Sequence, residues 1–333
     1  MPSPVMQALQ FDRPSSDTST AAVRAVEVPA PGPGQVLIRV THAGINFKDV
    51  MARRGDAGYV RAWPFSPGVE VAGFVHETGA GVDALAIGEP VVAITGEGGL
   101  AQFALADARL TVPIPRRLDP EVAAAAVGAP LTAALLVNEF GQLRRGEVML
   151  VHSAAGGVAH AAAQFARRAG ASALIGTVGD ASRVEAARRH GYDPVLVRAR
   201  QSASELRAVF GGGVDLILDP QGTAMLAFDL ELAAPGARVV LFGNASGEPV
   251  EPLPALGELM GANLALRGFS LAAMAARAPV RLAATLERVL EQLASGDLSL
   301  EVTVLDGLAR AAQAQQALAE GRGETKYVIR IAQ

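Results

Sequence analysis

Two hydrophobic textures alternate along the chain. From residue 1 to about 125, apolar residues come in short runs broken by Gly and Pro. Examples are Gln35-Val-Leu-Ile-Arg-Val40, Val69-Glu-Val-Ala-Gly-Phe-Val75 and Pro90-Val-Val-Ala-Ile94. Short β-like runs with frequent turns predict an antiparallel barrel or sandwich. From about 126 to 268 the runs become continuous and alternate with helical stretches. The predicted strands are 148–151, 173–176, 195–197, 214–218, 239–242 and 264–266; the predicted helices between them are 158–169, 182–190, 203–210 and 223–233. A strand covered on both faces reads as an unbroken apolar run, so this order predicts a doubly wound parallel sheet. The last stretch, 269–333, predicts helices near 280–293 and 308–319 and a final strand over 326–331. A terminal strand needs a sheet to join. With the first region as that sheet, 1–125 and 269–333 form one domain and 126–268 is inserted into it.

Composition narrows the function classes. A length of 333 residues suits two domains, and a chain that is half hydrophobic and 19% charged suits a folded globular protein. A formal net charge of −4 argues against a nucleic-acid partner and against a polybasic membrane anchor. Met1–Phe11 lacks the pattern of a signal peptide, and the apolar stretch 121–136 is interrupted by Gly128 and Pro130. The expectation is a cytoplasmic protein with no membrane span. The chain has no cysteine, which removes disulfides, thiolate zinc sites and cysteine nucleophiles. Its five histidines show no metal-binding spacing.

The candidate chemistry begins where the first strand of the α/β region ends, at His152-Ser-Ala-Ala-Gly-Gly-Val-Ala159. A predicted helix follows at once. As a dinucleotide fingerprint, the three glycine positions become Ala154, Gly156 and Ala159. Gly156 lets the backbone approach a pyrophosphate, and the helix start offers N–H groups and a positive dipole end. Alanine at the first position departs from the pattern, and an ordinary tight turn is the competing reading. The second strand bears on the choice of cofactor. NAD sites place an acid at its end, but Gly176 is neutral there and Asp180 comes a few residues late. Arg183 and Arg198 follow, and guanidinium groups suit a 2′-phosphate. The expected cofactor is NADPH; for each arginine a solvated surface charge is the plain alternative.

Four segments, Gly44-Ile-Asn-Phe-Lys-Asp49, Pro67-Gly-Val-Glu-Val-Ala-Gly73, Val151-His-Ser-Ala-Ala-Gly-Gly-Val158 and Phe242-Gly-Asn-Ala-Ser-Gly247, occur in that order. Together they resemble the quinone oxidoreductase branch of the medium-chain dehydrogenase/reductase family, which includes zeta-crystallin-like quinone reductases and the enoylreductase domains of polyketide synthases. The resemblance covers essentially the whole chain. It implies a GroES-like β-barrel catalytic domain from both chain ends, an inserted Rossmann domain, an active site in the cleft between them, and a homodimer. By the same resemblance Asn46 lies beside the nicotinamide and Ala155, Gly156, Gly157 and Val158 hold the pyrophosphate. Gly176, Thr177, Gly179 and Arg183 surround the adenosine ribose, with Arg198 where the family often has Tyr. Phe242, Gly243 and Asn244 match the nicotinamide half, with Phe269, Ser270 and Thr132 as further cofactor residues. Zinc-bearing relatives place Cys where Asn46 stands and His before the glutamate, where this chain has Val69-Glu70. The catalytic zinc is therefore expected to be lost.

Without zinc, alcohol dehydrogenation loses its Lewis acid. Hydride addition to an activated alkene or a quinone remains open, because a conjugated carbonyl spreads the arriving charge as an enolate. Tyr59 is one candidate proton donor, Lys48 with Asp49 a second, and solvent a third. Asp49 has a structural alternative in pinning the helix that follows it. The expected function is an NADPH-dependent enoyl or quinone reductase. The competing readings are a non-catalytic NADPH-binding protein and a relative recruited to redox-neutral chemistry such as cyclisation. Substrate choice is expected to rest on the loops 55–65 and 253–260.

Overall fold

The computed structural model describes residues 4–198, 203, 206–207, 212–323 and 325–332. The chain forms two compact units, Met1–Leu131 with Ala272–Gln333, and Thr132–Leu271. These breaks fall at 131/132 and 271/272, against 125/126 and 268/269 in the sequence reading. The first lies inside a helical run over Pro120–Phe140. That run passes through Gly128 and Pro130 instead of stopping there, which corrects the expected interruption. Widened turns carry it past the proline: the Leu131 N–H donates to the Ala126 carbonyl at 2.9 Å, five residues back. By length and composition this is a helix that can cross a membrane, but 78% of its apolar window is buried inside the protein, as in a core helix.

The first unit is built on β1 (Val5–Phe11), β2 (Ala21–Glu27), β3 (Gln35–Gly44), β4 (Glu70–Thr78), β5 (Pro90–Ile94), β6 (Phe103–Asp107), β7 (Thr111–Pro113), β14 (Val302–Asp306) and β15 (Lys326–Arg330). The main sheet runs β14-β15-β3-β4-β5-β7, and β6 pairs with β3 as well. The C-terminal strand β15 lies antiparallel to β3 and parallel to β14, so it finds its partners in the N-terminal sheet. Along β3, Val36, Ile38 and Val40 recur at the strand period of two and enter the core with Phe11, Val71, Val91 and Ile329. Each such side chain, fully buried, stabilises the fold by about 1.5–3 kcal/mol. Helix α1 (Phe47–Arg54) starts two residues after β3 and ends at Gly55, whose φ of 79° suits glycine. Helices α5 (Pro279–Ala294) and α6 (Ala309–Ala319) also belong to this unit. Leu282, Leu286, Val289, Leu290 and Leu293 of α5 are buried at helical spacing, with Pro279 in its first turn.

The second unit is a parallel sheet of β8 (Val148–His152), β9 (Ala173–Val178), β10 (Val195–Val197), β11 (Val214–Asp219), β12 (Ala233–Leu241) and β13 (Ala265–Gly268). Its order is β10-β9-β8-β11-β12-β13, with every neighbouring pair parallel. That is the 3-2-1-4-5-6 order of a dinucleotide fold, and it reverses between β8 and β11. Helices α2 (Gly157–Ala169), α3 (Val184–Arg189) and α4 (Leu226–Leu232) lie between the strands. The helix predicted over 203–210 falls mostly outside the described residues; Ala203, Leu206 and Arg207 within it are helical.

Candidate functional site

In the second unit, β8 ends at His152 and the chain turns through Ser153, whose φ is +59°. The Ser153 carbonyl accepts from Gly156 N at 2.9 Å, and Gly156 caps α2 in an extended conformation. Gly156 and Gly157 are exposed, Val158 is half-buried and Ala155 is buried. The N–H groups of the first helical turn have no intrahelical partner, and over a 13-residue helix the dipole adds positive potential there. Ala154 fits at the first fingerprint position because Gly176 faces it from β9: a Cβ on Gly176 would lie 2.6 Å from the Ala154 Cβ. Gly176 and Thr177 are therefore buried packing residues, and Gly179 and Asp180 are the exposed part of that segment.

The two arginines differ in placement. Arg183 is half-buried, and its Nη2 donates to the Ala155 carbonyl at 3.4 Å. Arg198 lays its guanidinium over Gly179, with Nη2 2.8 Å from where a Gly179 Cβ would stand. Its Nη1 is buried with no hydrogen-bond partner among the described residues. Burial lowers the Arg198 pKa and Asp219 opposes that shift; a guanidinium stays charged throughout.

Beyond β11 and β12 the remaining cofactor candidates gather at strand ends. Phe242 N donates to the Asp219 carbonyl at 2.9 Å, and Gly243 packs over Pro220. Asn244 accepts from Ser246 Oγ at 3.0 Å and donates to the Glu248 carbonyl at 3.1 Å. Phe269 follows β13 and sets its ring edge-on to Phe140 at 4.9 Å, while Ser270 is exposed and Thr132 is buried. Sequence reasoning missed Asp219, Gln221 and Asp229. His152 Nδ1 meets Thr177 Oγ1 and its Nε2 meets Asp229 Oδ1, both at 2.7 Å. Gln221 N donates to Asp219 Oδ1 at 2.6 Å, and Gln221 Nε2 donates to Ser153 Oγ at 2.9 Å.

In the first unit the centre is Asn46. Its Nδ2 donates to Glu70 Oε1 at 2.8 Å, and its Oδ1 accepts from Lys326 Nζ at 2.6 Å. Lys326 Nζ also donates to the Ile45 carbonyl at 2.7 Å and sits 2.6 Å from Glu70 Oε1. Glu70 Oε2 accepts from Val127 N and Gly128 N at 2.9 and 2.8 Å. Gly128 has to be glycine here, since a Cβ would lie 1.7 Å from Asn46 Oδ1. Glu70 and Lys326 were also missed, although Lys326 is one of only two lysines in the chain. The other, Lys48, donates to the Gly96 carbonyl at 3.0 Å, and burial lowers its pKa. Asp49 is buried and gives both oxygens to backbone N–H groups, of Asn46 at 2.8 Å and Gly68 at 3.1 Å. Burial raises its pKa against those bonds. Tyr59 is half-buried in the loop after α1, and burial first, then the Asp56 carboxylate, raises its phenol pKa. Trp63 packs against the first unit's core with its ring edge on Phe65.

Residues 32–116 match the profile described as alcohol dehydrogenase GroES-like domain, and residues 157–291 match that of zinc-binding dehydrogenase. The chain is 34% identical over 263 residues to the synaptic vesicle membrane protein VAT-1 homolog of Homo sapiens, covering 74% of this chain and 67% of that one. The rat VAT-1 homolog matches over 54% of its own length, so the chain spans between half and two thirds of these relatives. Quinone oxidoreductase of Sus scrofa is 31% identical over 91% of both chains. A 2-haloacrylate reductase of Burkholderia sp is 33% identical over 70% of this chain and 72% of that one. Among solved structures, Escherichia coli quinone oxidoreductase complexed with NADPH superposes with a TM-score of 0.86 at 26% identity, covering 97% of this chain and 99% of that one. A mycobacterial protein complexed with NADPH gives 0.86 at 30% identity with the same coverage.

Proposed function

We propose a function for a chain that belongs to the quinone oxidoreductase branch of the medium-chain dehydrogenase/reductase family: hydride addition, without a metal ion, to a C=C bond conjugated to a carbonyl or to a quinone. The chain is an NADPH-dependent oxidoreductase, supported by relatives named quinone oxidoreductase and 2-haloacrylate reductase and by neighbours complexed with NADPH. The metal-free part rests on one observation. Asn46 Oδ1 and Glu70 Oε1 are already taken by the Lys326 ammonium and Glu70 Oε2 by two backbone N–H groups, the chain has no cysteine, and no imidazole is bonded to them among the described residues. An ammonium in that place supplies the positive charge and is fully hydrogen-bonded, so this donor set does not fit zinc.

The second unit fits NADPH. Residues 155–158 offer backbone donors at a helix start for the pyrophosphate. Arg198, whose buried Nη1 has no partner among the described residues, and Arg183 would hold the 2′-phosphate beside Gly179. Gly176 and Thr177 act from behind, by packing. Phe242, Gly243, Asn244, Phe269, Ser270 and Thr132 would take the nicotinamide half. When bound, NADPH supplies the hydride that reaches the β-carbon or the quinone ring. The electron pair displaced onto the substrate oxygen is stabilised by donors, and Asn46 Nδ2 keeps one hydrogen beyond that given to Glu70. Tyr59 is the proton donor we favour for the α-carbon, because burial and Asp56 keep its phenol protonated. Lys48 and Asp49 are occupied in holding backbone and position α1. In this reading 126–268 is the NADPH-binding domain, 1–125 with 269–333 the catalytic domain, and the protein a cytoplasmic homodimer.

The test is NADPH oxidation, followed by nicotinamide absorbance, against quinones, enones, enals and enoyl thioesters, with NADH in parallel. Turnover of one class with NADPH preferred supports the reading and names the substrate. Tight NADPH binding with no oxidation by any acceptor replaces it with a non-catalytic or redox-neutral role.

A further inference from the structure

The strand order of the second unit reverses between β8 and β11, and one hydrogen bond joins the two strand ends there. Gln221, just past β11, donates from Nε2 to Ser153 Oγ, just past β8. Ser153 begins the loop that leads to the α2 N-terminus, and its carbonyl holds Gly156 N. Gln221 is itself fixed: its N–H donates to Asp219 Oδ1 at 2.6 Å, and its carbonyl accepts from Ser246 Oγ at 2.8 Å. Whatever holds Asp219 therefore sets the Ser153 turn.

Asp219 belongs to a buried group of three. One ligating atom each of His152, Asp219 and Asp229 lies within 4.8 Å of the others, and all three residues are buried. His152 reaches Asp229 from β8, Asp229 comes from α4, Thr177 of β9 holds the other ring nitrogen, and Arg198 from beyond β10 is the cation facing Asp219. Two carboxylates at this separation in a low-dielectric interior do not both ionise; one proton remains between them. Asp219 Oδ2 and Asp229 Oδ2 are buried and have no hydrogen-bond partner among the described residues, which leaves both open to it. The proton does not rest on the ring, because burial pushes the His152 pKa down to about 4. Burial, reinforced by Asp229, pushes Asp219 up to about 7, and burial pushes Asp229 well up.

We propose that Asp219 and Asp229, sharing one proton against His152, are positioning residues for the phosphate-binding loop, acting through Gln221 and Ser153 so that NADPH affinity depends on that proton. The proposal rests on the reading of 155–158 as the NADPH pyrophosphate site. With the proton lost, the carboxylates repel and Asp219 moves off Asp229; its bond from Gln221 N–H, stronger to a charged acceptor, carries Gln221 with it, and the Ser153 turn is no longer braced. The sign follows from linkage. The folded-state pKa of Asp219 lies above its unfolded value near 3.8, so this stabilisation is complete below that value and is lost as pH rises through about 7.

The test measures the NADPH dissociation constant and the melting temperature between about pH 5 and about pH 9 for the wild type, Asp219→Asn and Gln221→Leu. Asn keeps an acceptor for Gln221 N but cannot ionise. Leu cuts the link to Ser153 and leaves the acid pair. In the wild type, affinity is expected to weaken about three- to tenfold as pH rises through about 7, the effect of one hydrogen bond. The cofactor's own 2′-phosphate gains charge with pH and acts in the opposite direction. Asp219→Asn removes this weakening from affinity and the matching fall from melting, and leaves the cofactor's own opposite step. Gln221→Leu binds NADPH about three- to tenfold more weakly at every pH, and keeps the fall in melting temperature that runs up to about pH 7. A weakening with rising pH that survives in Asp219→Asn belongs to the stacked His160–His190 pair beside the loop, 4.4 Å apart, and overturns the proposal. So does a wild type whose melting shows the step while its NADPH affinity stays flat, or a divalent ion whose chelation reproduces Asp219→Asn. Failure of the wild type to bind NADPH at any pH defeats the function reading itself, and the positioning role falls with it.

Discussion

The two polar clusters solve the same problem differently. In the first unit, Asn46, Glu70 and Lys326 use an ammonium to balance a buried carboxylate, and the bonds close on one another and on the backbone of Ile45, Val127 and Gly128. In the second unit, His152, Asp219 and Asp229 have no ammonium among them. A shared proton does part of that work, and Arg198 stands off with one nitrogen unpaired among the described residues. A closed ion pair is fixed over the whole pH range in which both partners stay charged, whereas a proton is exchangeable. The comparison teaches that one unit is built to hold a side chain still, and the other to hold a loop with a strength that pH can change.

The largest expected effect breaks the closed cluster. Lys326→Met leaves Glu70 buried and unpaired and should cost about 3–5 kcal/mol in urea unfolding. Adding Glu70→Gln should recover a good part of it, since the uncompensated charge is then gone; no recovery would mean that Lys326 acts by packing alone. Next is Arg198→Ala. Loss of a charge-assisted contact is expected to weaken NADPH binding by about 1.5–3 kcal/mol while leaving NADH unchanged, read by titration calorimetry. An equal loss for both cofactors would remove Arg198 from the 2′-phosphate. Gly128→Ala should displace the Asn46 amide, at about 1–3 kcal/mol of stability and with a lower kcat. Smallest is Tyr59→Phe, expected to lower kcat about tenfold with NADPH affinity intact. Unchanged kcat would assign the proton to solvent.

The legible part of the fold is the part that periodicity carries. The continuous apolar runs became β8 to β13, and Gln35–Val40 and Lys326–Ile331 became β3 and β15, because burial on both sheet faces or alternation on one leaves a local mark. The run over 120–140 was misread as interrupted, because Gly128 and Pro130 signal a break in an α-helix but not in widened turns. At the sites, the Gly156 loop was visible as a motif. The partners of Asn46 were not: Glu70 and Lys326 lie 24 and 280 residues away in sequence, and no local pattern encodes such contacts. Asp219 and Asp229 were hidden for the same reason, each being an acid that ends a strand or sits in a helix. Their meaning comes only from meeting His152 across β8, β11 and α4.

The most direct measurement uses NADPH deuterated at the transferred position and a reactive enone, with a metal chelator present throughout. The account predicts deuterium on the β-carbon of the product, a solvent-derived hydrogen on the α-carbon, and turnover unaffected by the chelator. Deuterium on the carbonyl carbon, or turnover abolished by the chelator and restored by zinc, would contradict it.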